Sequence, residues 1–220
     1  MCICIAYAVD RVDYNHTEAE MYAISAALSY CPPTRVMGRG CNRATELAEN
    51  FGLEPIHAYE NGEDINRINY TILRRPANNE IIVSFSGTCN NRQLLSEFVR
   101  SYPVDYFLHE ELKDAKVVEY FYWYYLNNFR QDFQKALHKY IKDHPKSRVV
   151  FTGHSLGGAM SVHAAVDAVL SGWIKRSQML VYTFGQPRVG NHAFTDILSN
   201  HTLGIYRVIN GRDIVPHLPP

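Results

Sequence analysis

The sequence has no surplus of either charge: 22 lysine and arginine residues stand against 22 aspartate and glutamate residues in a chain of 220. That balance argues against a chain built around a nucleic-acid backbone, whose binding rests on a basic excess that releases counterions. No apolar run of about 18 residues occurs, which excludes a spanning helix. Internal repeats and low-complexity linkers are absent as well. The five cysteines (Cys2, Cys4, Cys31, Cys41, Cys89) include no CxxC pair, so zinc and thioredoxin-type chemistry have no foothold. His109-Glu110-Glu111-Leu112 begins like a zinc-binding helix, but Lys113 stands where the second histidine would be, and no metal or cofactor site is assigned.

What is present is ordinary globular material, 46% hydrophobic and 12% aromatic, in a chain long enough to bury roughly 70–75% of its unfolded surface. Thr17-Glu18-Ala19-Glu20 has the spacing of a capping box, and Met21, Ile24 and Leu28 recur at helical intervals until Cys31-Pro32-Pro33 stops the helix. β-Branched and aromatic clusters predict strands at 68–73 and 81–85. A broad apolar face predicts one long helix over 112–141, closed by Pro145. A buried strand follows at 148–152, a helix from Leu156 to Gly172, and strands at 179–184 and 205–209. Strands alternating with helices imply an α/β class, with a central mostly parallel sheet covered by helices on both faces.

The N-terminal Met-Cys-Ile-Cys-Ile-Ala-Tyr-Ala reads as the tail of a signal peptide or as a short first strand. The first reading is preferred, making residues 1–16 an N-terminal extension, residues 17–220 the domain, and the protein secreted or lumenal. Sequons at Asn15, Asn69 and Asn200 point the same way. Cys31 and Cys41 flank a loop with two prolines and two glycines, suited to a disulfide; two unpaired buried thiols are the alternative.

The strongest chemical signal is Gly153-His154-Ser155-Leu156-Gly157, a G-x-S-x-G between a predicted strand and a predicted helix. A serine on such a sharp turn takes strained backbone, and Gly153 and Gly157 relieve the clashes that bulkier residues would bring. The turn lifts the Ser155 hydroxyl clear of the sheet. The helix N-terminus offers free amides, Leu156 among them, to a developing oxyanion. The motif's chain order is Ser, acid, His. Of the downstream acids, Asp167 lies three turns into the helix and points away, and Asp196 sits in a mixed polar stretch. Asp213, in the turn after the strand at 205–209, is the candidate acid, at a strand end where α/β sites gather. A second oxyanion donor is expected from the loop Ser86-Gly87-Thr88.

These residues together resemble the class 3 lipases, the fungal triacylglycerol-lipase-like branch of the α/β-hydrolases. The nucleophile stretch runs from Gly153 to Ala159. A second signature is Thr183-Phe184-Gly185-Gln186-Pro187-Arg188-Val189-Gly190-Asn191. A third combines Tyr206-Arg207-Val208-Ile209-Asn210 with Asp213-Ile214-Val215-Pro216-His217-Leu218-Pro219-Pro220. The resemblance implies a cofactor-free serine hydrolase of carboxylic esters, with Ser155 as nucleophile, Asp213 as triad acid, and Thr88 and Leu156 as oxyanion donors. It also implies a lid over residues 90–100, with Leu94, Leu95, Phe98 and Val99 on its apolar face and an ester lipid as the substrate to which it opens.

Two departures stand out. Ser86 replaces the family's arginine before Gly87. The family's catalytic histidine lies beyond the Val-Pro-His-Leu-Pro-Pro stretch, so the domain is expected to be C-terminally incomplete and no histidine here is assigned as general base. The rival reading is a non-catalytic lipid-binding or interaction protein on a hydrolase scaffold.

Overall fold

The computed structural model describes residues 13–61, 68–87, 101–199 and 203–219, and the backbone of a strand over 2–6. Nine strands are described: β1 Cys2–Ala6, β2 Glu54–Glu60, β3 Asn69–Arg75, β4 Glu80–Phe85, β5 Pro103–Asp105, β6 Lys116–Val118, β7 Arg148–His154, β8 Met179–Phe184 and β9 Gly204–Ile209. The described helices are α1 His16–Leu28, α2 Pro33–Met37, α3 Arg43–Asn50, α4 Glu119–Asn128, α5 Arg130–Asp143, α6 Leu156–Leu170 and α7 His192–Ser199. Seven strands form one sheet in the order β1-β9-β8-β7-β4-β3-β2, and β5 and β6 form a separate hairpin. β4, β7, β8 and β9 are paired in parallel, while β3 and then β2, and β1 on the other edge, add antiparallel pairings. This is the α/β-hydrolase arrangement expected from the sequence.

The two faces follow from the period-2 alternation of strand side chains. Ile81, Val83, Phe85, Val149, Phe151 and Val181 point into a core built with α4, α5 and α6. Ile82, Val150, Leu180 and Tyr182 point the other way, onto Met21, Tyr22 and Leu28 of α1. The N-terminal segment takes the strand reading over Cys2–Ala6, antiparallel to β9.

The single long helix expected over 112–141 is a correction. Its first turns are a 3₁₀ turn at Glu110–Leu112 and strand β6, because β-branched Val117 and Val118 pair with β5. The rest is two helices broken at Phe129, whose φ of −123° leaves helical space. The break has a local cause: Asn128 Nδ2 donates to the Tyr124 carbonyl at 2.9 Å, capping α4 from its own last residue. The Phe129 ring turns into the core.

Candidate active site

The parallel strands end together on one edge of the sheet, and the candidate residues gather there. Ser155 joins β7 to α6 at φ 56° and ψ −124°, a conformation that costs a non-glycine residue about 1–3 kcal/mol. The surroundings hold it there. Its N–H donates to the Phe184 carbonyl at 2.9 Å, tying the turn to β8. Ser161 Oγ, lower on α6, donates to Thr152 O (2.5 Å) or to Gly157 O (2.8 Å).

The glycines permit the approach. A Cβ on Gly153 would overlap the Gly157 carbonyl, and one on Gly157 would overlap the carbonyl of Phe85 at the end of β4. Leu156 is the first residue of α6, so its N–H has no intrahelical acceptor. The helix N-terminus therefore faces the Ser155 side chain with a free donor and a positive dipole end.

Gly87 follows β4 and packs directly on the elbow. A Cβ there would lie 2.5 Å from the Tyr30 hydroxyl, 2.9 Å from the His154 carbonyl and 3.5 Å from Ser155 Cβ. The loop expected to supply the second oxyanion donor thus starts beside Ser155. Thr88 itself and the expected lid, residues 90–100, lie outside the described residues.

Ser86, which stands where the resemblance implies arginine, is buried and braced. The Asn69 N–H donates to Ser86 Oγ at 2.8 Å, and the Ser86 N–H donates back to the Asn69 carbonyl at 2.9 Å. Asn69 Nδ2 donates in turn to the Cys31 carbonyl at 3.3 Å. Asn69 is buried by this work and has no room for a glycan, whereas Asn15 is exposed and its side chain caps α1. Cys31 and Cys41 form a disulfide with Cα atoms 6.3 Å apart.

Asp213 lies past β9, in the turn anticipated from sequence. Its Oδ1 accepts the Val215 N–H at 3.0 Å. Its Oδ2 is 2.8 Å from the space that a Cβ on Gly185 would fill, and His154 Nε2 is 3.7 Å from the same space. Gly185, at φ 57°, thus leaves room for both. The other signature residues are scaffolding. Arg207 donates to the carbonyls of Gln186 and Pro216, Gln186 packs on Gly158, and Arg188 donates to the Pro219 carbonyl at 3.1 Å. Asn191 accepts the Phe194 N–H at 3.1 Å, capping α7.

The remaining histidines are elsewhere. His163 is buried in α6, His192 opens α7, and His217 is exposed in the 3₁₀ turn Val215–His217; His201 lies outside the described residues. Among the described residues no imidazole is hydrogen-bonded to the Ser155 hydroxyl or to Asp213. No cluster of metal-ligating side chains occurs among them either.

The Lipase (class 3) family matches residues 82–220. The chain belongs to the class 3 lipases. It is 31% identical over 153 residues to a lipase of Rhizopus niveus, covering 68% of this chain and 37% of that one. It is 32% identical over 213 residues to the secreted mono- and diacylglycerol lipase LIP1 of Malassezia globosa, covering 94% and 64%. The chain thus spans from about a third to just under two thirds of these curated relatives. A solved triacylglycerol lipase whose catalytic centre is described as a serine protease triad superposes with a TM-score of 0.81 at 28% identity, covering all of this chain and 78% of the other. The match includes the class 3 lipase elbow at Ser155 and the Asp213 turn.

Two residues of this site had no signal in the sequence reading. Tyr30 and Asn69 reach it from the far side of the chain, through a turn after α1 and the start of β3, and the sequon at Asn69 carries no hint of this role.

Proposed function

We propose that this class 3 lipase chain contributes the nucleophile and the acid of a carboxylic-ester hydrolase acting on acylglycerols. Ser155 Oγ attacks the ester carbonyl as its proton passes to an imidazole, the oxyanion is held by the Leu156 and Thr88 amides, and the alcohol leaves with that proton. Water then attacks the acyl-enzyme, returning the acid product and the free serine. Asp213 orients the imidazole and stabilises its charge. We assign the base to none of the described histidines, since none of them is hydrogen-bonded to the Ser155 hydroxyl or to Asp213.

The observation that carries the reading is the strained elbow: a non-glycine residue at φ 56° that places a partly exposed serine at a helix N-terminus. The secreted relative and the Cys31–Cys41 disulfide support an extracellular setting. Among the described residues no helix is long and apolar enough to cross a membrane. A second reading, a lipid-binding protein without turnover, is favoured because no imidazole among the described residues is hydrogen-bonded to the Ser155 hydroxyl or to Asp213.

Intact-mass detection of fluorophosphonate labelling, with Ser155→Ala as control, separates the two. Labelling of the wild type alone supports the hydrolase. No labelling of a folded chain, persisting when the C-terminus is extended, refutes it in favour of binding.

A further inference from the structure

Tyr30 touches both halves of the site. Its hydroxyl lies 2.9 Å from Nδ1 of His154, the residue before Ser155. The same oxygen is the nearest atom to the space a Cβ on Gly87 would fill. The far nitrogen of the ring, Nε2, lies 3.7 Å from the space a Cβ on Gly185 would fill, and Asp213 Oδ2 lies 2.8 Å from the same space. His154 therefore spans from Tyr30 to the neighbourhood of Asp213, along the flank of the elbow.

A neutral imidazole carries one proton, and the partner of each nitrogen decides which one holds it. Burial lowers the His154 pKa from its usual value, against the opposing pull of the Asp213 carboxylate, so the ring is neutral at pH 7. A carboxylate is an acceptor only, and its charge favours an N–H rather than a lone pair on the nitrogen facing it. That assigns the proton to Nε2 and leaves Nδ1 to accept from the Tyr30 hydroxyl.

We propose that Tyr30 is a positioning residue, whose hydroxyl donates to Nδ1 and thereby fixes His154 as the Nε2–H tautomer that turns a dipole toward Asp213. The assignment deepens the hydrolase reading of Ser155 and Asp213 and rests on it for its consequence in turnover. With Tyr30 in place, the acid's negative charge meets a fixed N–H dipole and no competing lone pair. Without it, His154 is free to present the wrong nitrogen and to swing its backbone, which carries Ser155.

Long-range ¹H–¹⁵N spectra of the full chain report the protonated ring nitrogen of His154 directly, whatever the chain's activity. The expected pattern is a protonated Nε2 and a bare Nδ1 near neutral pH, giving way to a mixture of tautomers in Tyr30→Phe. A protonated Nδ1 in the wild type overturns the proposal, and so does a tautomer unmoved by Tyr30→Phe. In the fluorophosphonate reaction, Tyr30→Phe is expected to slow labelling of Ser155 about tenfold. In a His154→Gln background, which keeps a donor toward Asp213 but has no Nδ1, the same substitution should do nothing further. Equal slowing in both backgrounds would mean that Tyr30 acts without His154, against the proposal. A folded chain that takes no label even when the C-terminus is extended defeats the hydrolase reading alone, and the spectra then decide the role of Tyr30.

Discussion

Helix α6 carries two polar sites that meet opposite demands. At its start Ser155 stands on strained backbone, partly open, with no side-chain cap on the helix. Three turns on, Asp167 is fully buried and accepts from Tyr125 Oη (2.8 Å), Arg130 Nε (2.8 Å), Ser171 Oγ (2.8 Å) and His109 Nε2 (3.1 Å). Burial pushes the Asp167 carboxyl up, but the hydrogen bonds from His109, Arg130, Tyr125 and Ser171 outweigh it and hold the pKa below its usual value. One end of the helix stores strain and leaves hydrogen-bonding capacity for a substrate. The other spends all of its capacity inside the protein, knitting α4, α5 and the loop at His109 onto the helix. The two acids differ in how they are held: Asp167 accepts from four side chains, whereas among the described residues Asp213 accepts from the Val215 N–H.

The comparison breaks most visibly at Ser155. Ser155→Gly should abolish fluorophosphonate labelling and lower ester turnover by about 10⁴-fold or more. It should also raise the unfolding free energy in urea by about 1 kcal/mol, because glycine adopts this backbone without strain. Loss of stability in that variant would show that the elbow is not strained. Next in size, Asp213→Asn should cut turnover by about 10⁴-fold, as loss of the group that orients a triad imidazole does, while leaving the urea midpoint almost unchanged. Asp167→Asn should do the reverse. It breaks a buried ion pair with Arg130 and should cost about 3 kcal/mol of stability, with the labelling rate of the folded fraction unaltered.

How much of this was legible follows the same division. The elbow was readable because backbone geometry demands glycines at fixed offsets from a serine, and Gly153 and Gly157 are indeed the positions where a Cβ would overlap its neighbours. Asp213 was readable from its place after a strand. The strand at 81–85 was readable because β-branched and aromatic residues cluster there; the alternation of its side chains between two cores comes only with the fold. The Asp167 set was not, since its donors come from His109, Tyr125, Arg130 and Ser171, which only the fold brings together. The break at Phe129 was hidden because the apolar face continues through it; the interruption comes from one amide side chain folding back on Tyr124. Ser86 departs from the family's arginine, yet the Asn69 backbone makes two hydrogen bonds with it, a pairing that separation along the chain conceals.

The smallest effect sharpens the contrast from inside the helix. His163, one turn before Asp167, is fully buried among the rings of Tyr106, Tyr122, Tyr125 and Phe194, and neither ring nitrogen has a hydrogen-bond partner among the described residues. Burial lowers its pKa to about 3, with the Asp167 charge opposing. A depressed histidine pKa means that the unfolded chain takes up a proton that the folded chain refuses. Stability is therefore full above the unfolded value of 6.5 and is lost as pH falls toward the folded value of about 3. Between pH 6.5 and 5 the loss should be about 1.5 kcal/mol. Asp167 works in a lower window: its contribution is present above the unfolded carboxylate value of 3.8 and disappears below it, so it does not change between pH 6.5 and 5. His163→Phe fills the same aromatic box without a titrating group, and its urea midpoint should stay flatter from pH 6.5 to 5 than that of the wild type. Parallel curves for the two proteins would mean that the folded chain protonates His163 after all, and that this end of α6 is wetter than its burial implies.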